Sequence, residues 1–178
     1  MRRAAVVSLI VGVALAAVAG AQQPATRKPG PDVEQLRYFI GTWRTEADMQ
    51  ASMVGPAGKV AGTLTEEWMP GGFFVVTHHE ETNPTGTHKA LMVTGYDAKK
   101  HVYVRYFFDG EGGVEYSEGT HSGGTWTWVA SYAESGSTLK TRSVVVPRSA
   151  TSYDFTWEIA PHGDDWTVVQ RGTATRIN

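Results

Sequence analysis

The chain has 178 residues, and 16 Lys and Arg residues against 18 Asp and Glu residues give a formal net charge of −2. This balance excludes the strongly basic surface of a nucleic-acid-binding protein, and the absence of cysteine excludes disulfide bonds as a source of stability. The length fits one globular domain, which must be stabilised by core burial and strand pairing.

Residues 1–21 are typical of a signal peptide. Two arginines near the start precede an apolar run over residues 4–18, and the small residues Ala-Gly-Ala follow. The run is shorter than the roughly 20 residues of a spanning helix, so we expect cleavage and no membrane span afterwards. Residues 22–31, rich in proline, glycine and basic residues, are expected to form a flexible linker. These features predict a periplasmic or secreted protein.

Residues 32–178 are predicted to form a single β-barrel domain. Asp32 can cap a short N-terminal helix, because apolar residues at helical spacing follow it, and this helix is predicted to end at Gly41. Beyond it the period changes to 2, and turn residues recur about every 12 positions. This pattern predicts ten strands, over residues 42–51, 59–69, 73–82, 87–96, 101–108, 114–121, 125–133, 138–146, 152–160 and 165–177. Since no long helical segment separates them, we expect an all-β, antiparallel, up-and-down sheet that closes on itself.

Hairpin turns determine which residues of successive strands share a face of the sheet. With three-residue turns at 70–72 and 122–124, one face collects mostly apolar side chains and is predicted to be the interior. It includes Trp43, Trp68, Val93, Phe108, Val114, Trp126, Trp128, Tyr132, Leu139, Val145, Tyr153, Phe155, Trp157, Ile159, Trp166 and Val168. The opposite face collects charged residues, as expected for a solvated surface.

Several polar side chains also fall on the predicted interior face. Buried carboxylates are costly unless they are paired or solvated, so this set indicates a partly hydrated ligand pocket. Glu66, Glu118, Ser143 and Gln170 are expected at similar height, as a polar belt. The alternative is a β-bulge that turns one or more of them to solvent. The predicted ligand-binding residues are Glu66, His78, Tyr106, Tyr116, Glu118, Trp128 and Gln170.

Trp43 on the first strand and Arg176 on the last are predicted to meet if these strands pair, with the arginine stacked on the tryptophan to plug one end. This is a structural role. Gly41-Thr42-Trp43 with an arginine on the last strand resembles the closed-end signature of the lipocalin and fatty-acid-binding (calycin) architecture.

A more specific set of residues runs through the chain in order. It comprises Leu36, Gly41-Thr42-Trp43, Gly62, Gly71-Gly72-Phe73, Gly95-Tyr96-Asp97, Phe108-Asp109 and Gly119. This set, spanning residues 32–177, resembles the exported bacterial family called domain of unknown function 1579. The resemblance implies a calycin-like barrel and no assigned activity. Phe74 follows Phe73 where family members often carry Gly-Gly-Arg, so no role of that arginine is carried over.

The histidines and carboxylates suggest three other kinds of site. Adjacent His78 and His79 point to opposite faces of a strand and cannot chelate one metal together, whereas His79, Glu81 and His88 could meet on the outer face. No metal site is predicted from them. No cofactor is predicted either, although an interior His78 could ligate haem iron, as in the nitrobindin-like barrels that the chain distantly resembles.

An enzyme is not favoured, because the sequence contains no nucleophile elbow, phosphate-binding loop or zinc motif. The nearest candidate for acid/base chemistry is His78 with Glu66 or Glu118. The favoured function is an exported barrel that binds a small, largely apolar ligand in an aromatic lumen. The alternatives are a haem-binding or enzymatic barrel that uses His78, or a barrel filled by its own side chains that acts through a protein partner.

Overall fold

The structure is a computed structural model that describes residues 28–134 and 137–178, without the side chains of residues 133–137. The predicted signal peptide and residues 22–27 of the predicted linker lie outside the described residues. Over the described ranges, the chain forms a closed barrel of ten antiparallel strands, each paired with its neighbours in sequence and the last with the first. The predicted all-β up-and-down barrel is therefore confirmed.

The strands follow a short helical segment. The helix α1 spans Pro31–Gln35, and one turn of 3₁₀ helix, Leu36–Phe39, follows it. The strands are β1 Gly41–Met49, β2 Gly58–Trp68, β3 Phe74–Asn83, β4 Gly86–Asp97, β5 Val102–Asp109, β6 Val114–Ser122, β7 Thr125–Glu134, β8 Ser137–Ser149, β9 Ser152–Ala160 and β10 Thr167–Arg176.

Helix α1 begins differently from the sequence expectation. Gly30 occupies the N-cap position, Pro31 lies in the first turn, and no side chain caps the helix. Proline suits this position because its fixed φ is helical and its missing N–H would be unpaired there. The expectation that Asp32 is the cap is therefore wrong, and the carboxylate lies in the first turn.

One end of the barrel, which we name the closed end, is covered by the helical segment. Phe39 packs against Trp126, Trp128 and Tyr153, with ring centroids 5.2, 6.1 and 6.2 Å away. The Trp43 indole N–H donates to the Phe39 carbonyl at 2.6 Å. These contacts bury the aromatic rings and leave the opposite end, which we name the mouth, as the route into the lumen.

Arg176 completes the closed end. It is paired with Trp43 across β1 and β10, and its Cζ lies 4.2 Å from the Trp43 ring centroid. Its guanidinium donates to the carbonyls of Tyr38, at 2.7 Å, and of Ile40. Gly41 provides the room, because a Cβ there would lie 2.5 Å from Arg176 Nη1. The structure thus brings together the two residues expected to plug this end.

Two turns place strands β3 to β6 differently from the sequence expectation. Ser122 pairs with Thr125 around only two residues, Gly123 and Gly124, whose φ angles of 57° and 79° suit a type I′ turn. The three-residue turn expected at 122–124 is therefore wrong. Because neighbouring side chains point to opposite faces, a loop one residue shorter exchanges the two faces of β6 relative to β7.

The turn between β2 and β3 is one residue longer than expected, which exchanges the two faces a second time. The Met69 N–H donates to the Phe74 carbonyl at 2.8 Å, so four residues form the connection instead of the expected three. Glu66 consequently faces Thr77 across the strands. The four strands between the two turns are therefore inverted as a block, while β1, β2 and β7 to β9 have the expected faces inside.

Strand β10 contains a β-bulge that corrects a further expectation. Thr167 pairs with Ile159 and Gln170 with Trp157, so the register shifts between Val168 and Gln170. Val168 pairs with Glu158 on the outer face, and the Arg142 Cζ lies 4.2 Å from the Trp166 ring centroid on that same side. The interior placement predicted for Trp166 and Val168 is wrong, because the bulge changes the strand's phase.

Candidate ligand site in the barrel interior

The structure divides the seven predicted ligand-binding residues between the two faces of the barrel. Glu66, Trp128 and Gln170 face the lumen and are buried, at 8%, 2% and 9% exposure. The other four lie on the inverted strands and face outward, which corrects the expected orientation of His78, Tyr106, Tyr116 and Glu118. Phe108 and Val114 are outward and exposed for the same reason.

The outward residues have partners on the barrel surface. Glu118 accepts hydrogen bonds from Tyr116 Oη at 2.9 Å and from Lys100 Nζ at 2.7 Å. Tyr106 packs against Tyr116, with ring centroids 5.1 Å apart. Without an inward Glu118 the expected polar belt does not form, although Ser143 and Gln170 both flank Trp157.

His78 is exposed on the outward face of β3. It pairs with Thr65 of β2 and Leu91 of β4. An iron ligand or an acid/base group inside the lumen cannot come from this position. The two alternatives that needed His78 inside the lumen, as a haem ligand or in an acid/base pair, are therefore contradicted.

The inversion brings other polar residues into the lumen. Arg105 on β5 lies opposite Ser117 on β6, and its Cζ lies 3.6 Å from the Trp128 ring centroid on β7. Glu66 lies on β2 and is close enough to Arg105 for the two charges to affect each other's pKa. We name Glu66, Arg105, Ser117 and Trp128 the inner polar cluster.

Each member of the inner polar cluster has a buried polar atom without a hydrogen-bond partner in the described part of the chain. These atoms are Glu66 Oε2, Arg105 Nε, Ser117 Oγ and Trp128 Nε1. An unpaired buried donor or acceptor destabilises the folded state by about 1–3 kcal/mol. Four such atoms on four strands are therefore a departure from the usual pairing of buried polar groups that requires an explanation.

The Arg105 guanidinium is the main charge in this cluster. Burial lowers the pKa of Arg105 to about 10, and the carboxylates of Glu66 and Glu115 act in the opposite direction. The group therefore remains positively charged at neutral pH. In residues 28–134 and 137–178 it forms no hydrogen bond or ion pair, and its close contact is the Trp128 ring.

Glu66, unlike Arg105, is mostly uncharged at neutral pH. Burial raises its pKa to about 8, against the smaller effects of Arg105, of the Thr77 hydrogen bond and of Arg176. Thr77 Oγ1 donates to Glu66 Oε1 at 3.2 Å. At pH 7 the carboxyl is mostly protonated, so it does not act as the counterion of Arg105.

Gly119 positions the Trp128 indole within the cluster. A Cβ at Gly119 would lie 2.5 Å from Trp128 Cδ1 and 2.7 Å from Nε1. Without that Cβ, the indole lies directly against β6 and the neighbouring Trp126 ring stacks on it with an interplanar angle of 8°. Arg105 thus rests on a preorganised aromatic surface.

A second polar group lies nearer the mouth. Glu81 Oε2 accepts a hydrogen bond from Gln170 Nε2 at 3.1 Å, and Glu81 Oε1 accepts one from Asn83 Nδ2 at 3.1 Å. His79 Nε2 lies 3.9 Å from Glu81 Oε2, and burial lowers the pKa of His79. His79 and Glu81 of β3 and His88 of β4 all face the lumen. The hypothesis that these three residues meet on the outer face is therefore wrong.

Interior residues on β4 to β6 are only partly buried. Ala90, Met92, Phe107 and Glu115 face inward and yet retain intermediate exposure, as does Arg105. On the other side, Met49, Val60, Ile159 and Val169 form a buried core with Ala47. The accessible part of the lumen therefore lies along β3 to β6, above the inner polar cluster.

The described residues contain no group of three or more His, Asp or Glu side chains arranged to hold a metal ion. No helix in the described ranges is long and apolar enough to cross a membrane.

Sequence reasoning missed Arg105, Ser117, Thr77 and His79 as interior residues. The signal that could have found them is Gly123-Gly124, because paired glycines suit the two-residue type I′ hairpin. We find no feature of the sequence that indicates the β-bulge in β10.

Two solved structures resemble this barrel. Rv2717c from M. tuberculosis has a TM-score of 0.59 at 8% identity, over 85% of this chain and 100% of that one. The S-type phycobiliprotein lyase CPES from Guillardia theta has a TM-score of 0.53 at 11% identity, over 82% and 92% of the two chains. At these identities the likeness shows the fold alone.

No curated protein sequence matches this chain. A family model described as a protein of unknown function, DUF1579, matches residues 28–176. The match covers all ten strands and the residues quoted above for the resemblance. The chain belongs to the DUF1579 family.

Proposed function

We propose that this protein is an exported barrel that binds a small, largely apolar molecule in its lumen, with the polar part of the ligand at the inner polar cluster. The single observation that carries the proposal is that Glu66, Arg105, Ser117 and Trp128, on four strands, each have a buried polar atom without a hydrogen-bond partner in the described residues. A ligand that supplies hydrogen bonds to these atoms removes the desolvation penalty that they carry.

The surroundings of the cluster support an apolar remainder of the ligand. Met92, Phe107 and Ala90 line the accessible side of the lumen, and the Trp128 ring forms part of its base. Burial of such surface contributes about 25 cal/mol per Å² to binding. The similarity to a phycobiliprotein lyase is compatible with a lumen that holds a small molecule.

Export is the second part of the proposal, and it rests on the leader-like residues 1–21. Sequencing the N-terminus of the protein recovered from its native host tests it. A mature chain that begins near residue 22 supports export, and a chain that retains Met1 contradicts it.

Native mass spectrometry of freshly purified protein tests the binding proposal. We expect a co-purifying mass that is lost on denaturation, and a change in tryptophan fluorescence when the stripped protein meets the extracted ligand, because Trp126 and Trp128 flank the site. A protein that carries no ligand and shows no fluorescence change with any extract contradicts the proposal.

A further inference from the structure

We propose that the ligand is an anion, a carboxylate on a small apolar molecule, and that the Arg105 guanidinium is its anchor in the lumen. This inference rests on the proposed function and specifies the chemistry of the ligand's polar group. It follows from the hydrogen-bonding capacity of the inner polar cluster, from its charge and from its position in the barrel.

The unpartnered atoms are hydrogen-bond donors. Arg105 Nε and Trp128 Nε1 can only donate, and the Ser117 hydroxyl can donate. Glu66 Oε1 already accepts from Thr77, which leaves Oε2 to carry the proton of the neutral carboxyl. Two obligate donors, and two groups that can also donate, lack a partner in the described residues and predict a ligand group that accepts several hydrogen bonds at once. A carboxylate does this, and it matches the planar fork of an arginine in bidentate geometry.

The local charge selects the same class of ligand. Arg105 has no contacting ion-pair partner in the described ranges; the Glu115 carboxylate acts on its charge from a greater distance and is held by hydrogen bonds from Thr141 Oγ1, at 3.0 Å, and from Tyr132. A largely desolvated cation without a contacting anion is unfavourable, and an incoming anion supplies that contact. A cationic ligand would face Arg105 directly, and a neutral ligand would leave it without a contacting anion.

The position of the cluster orients the ligand. Trp128 contacts Phe39 of the closed end, so the carboxylate lies deep in the barrel. The apolar part then extends past Met92 and Phe107 towards the mouth. The Trp128 surface, held in place by Gly119, fixes the plane of the guanidinium before the ligand arrives.

Matched ligands test the inference on the full-length mature protein. The probes are straight-chain carboxylates from butanoate to dodecanoate, each compared with the primary alcohol of equal chain length. Tryptophan fluorescence measures affinity, and the Trp128 indole N–H resonance, assigned with Trp128→Phe, reports contact with the cluster. We expect the best-fitting carboxylate to bind about 30-fold more tightly than its alcohol, the effect of one or two charge-assisted hydrogen bonds.

Three variants locate the anion. Arg105→Met is expected to abolish the preference for the carboxylate while changing the affinity for the alcohol less than about threefold. Arg105→Lys keeps the charge without the fork and should retain part of the preference. Arg142→Met is the matched control, because Arg142 also lies over a tryptophan ring, Trp166, on the outer face. It should leave both affinities unchanged.

The pH dependence gives a further readout that does not require the Arg105 variant to fold. Between pH 7 and 9 Glu66 ionises, since its pKa is about 8, whereas alkyl carboxylates stay ionised throughout. The new negative charge then competes with the ligand for Arg105, with Arg176, Glu115 and Tyr153 as the other titratable groups nearby. We expect carboxylate affinity to fall about tenfold in the wild type and to stay constant in Glu66→Gln.

The outcomes separate the inference from the proposed function. Equal affinities for carboxylates and alcohols, unaffected by Arg105→Met, would overturn the anion inference and leave a neutral-ligand barrel. A carboxylate preference that survives Arg105→Met would also overturn it, because the anchor would lie elsewhere. If no member of either series binds and no ligand co-purifies, the proposed function itself fails.

Discussion

In the described residues, Arg105 and Arg176 each lie within 4.2 Å of the ring centroid of an interior tryptophan, and their surroundings differ. At the closed end Arg176 Cζ lies 4.2 Å from the Trp43 ring centroid, and the guanidinium donates to backbone carbonyls of Tyr38 and Ile40. In the inner polar cluster Arg105 Cζ lies 3.6 Å from the Trp128 ring centroid, without hydrogen-bond partners in the described residues.

The difference separates a structural arginine from a candidate binding residue. Arg176 joins the last strand to the segment before β1, so its hydrogen bonds stabilise closure of the barrel. Arg105 forms no such bond within the described residues, so its donors remain available for the proposed ligand. An arginine over a tryptophan ring can therefore either stabilise the fold or be a candidate binding residue. The two cases differ in whether the guanidinium N–H groups already have hydrogen-bond acceptors.

The largest expected effect is at Arg176. Arg176→Met removes hydrogen bonds to three carbonyls, those of Tyr38, Ile40 and Ala150, and the contact with Trp43, so we expect a loss of about 4 kcal/mol in the free energy of unfolding. Urea denaturation followed by tryptophan fluorescence measures it. A loss below about 1 kcal/mol would contradict a structural role for this arginine.

Glu66 gives the next largest effect, which depends on pH. Its pKa is about 8 in the folded protein against 4.5 for an exposed carboxyl, so between these values the folded state keeps a proton that the unfolded chain releases. The free energy of unfolding should therefore fall as pH rises through this window, by on the order of 3 kcal/mol, and level off above it. In Glu66→Gln this decrease should be absent when unfolding is measured from pH 5 to 9.

Arg105 is expected to have a smaller effect of opposite sign. Arg105→Met removes a buried charge that lacks a counterion, so the ligand-free protein should gain about 1 kcal/mol at pH 7, or at least lose none. Unfolding of the stripped protein in urea measures this. A loss comparable to that of Arg176→Met would show that Arg105 also serves the fold.

The smallest expected effect compares two adjacent histidines. His78→Ala changes an exposed side chain and should alter the free energy of unfolding by less than about 0.5 kcal/mol. His79→Ala removes a side chain that faces the lumen beside Glu81 and should have the larger effect. Equal effects in urea denaturation would contradict the register of β3.

The sequence predicted the architecture well because the signals for it are local. Alternation of apolar and polar residues defined the ten strands, and the Trp43 and Arg176 positions followed from pairing of the first and last strands. These signals depend on residues close together in the chain or on barrel closure, so small errors in turn length do not affect them.

The site was harder to predict because the face on which each of its residues lies depends on the lengths of several successive turns. An error of one residue at 122–124 exchanged inside and outside for β6, and the exchange passed to β5, β4 and β3. It therefore replaced Arg105 and Ser117 by Tyr106 and Glu118 as interior residues. A second miscount at the β2–β3 turn restored agreement with β1 and β2, so the apolar pattern did not reveal the error.

The helical segment at the closed end also determines how the molecule can be handled. Pro29 lies near Gly72 beside this end, and the carbonyl of the last residue, Asn178, accepts a hydrogen bond from the Thr42 N–H at 3.4 Å. The described chain therefore enters and leaves the barrel on the side opposite the mouth. A fusion partner or a surface attached through residue 178 would leave the mouth unobstructed, so the proposed binding can be measured on immobilised protein.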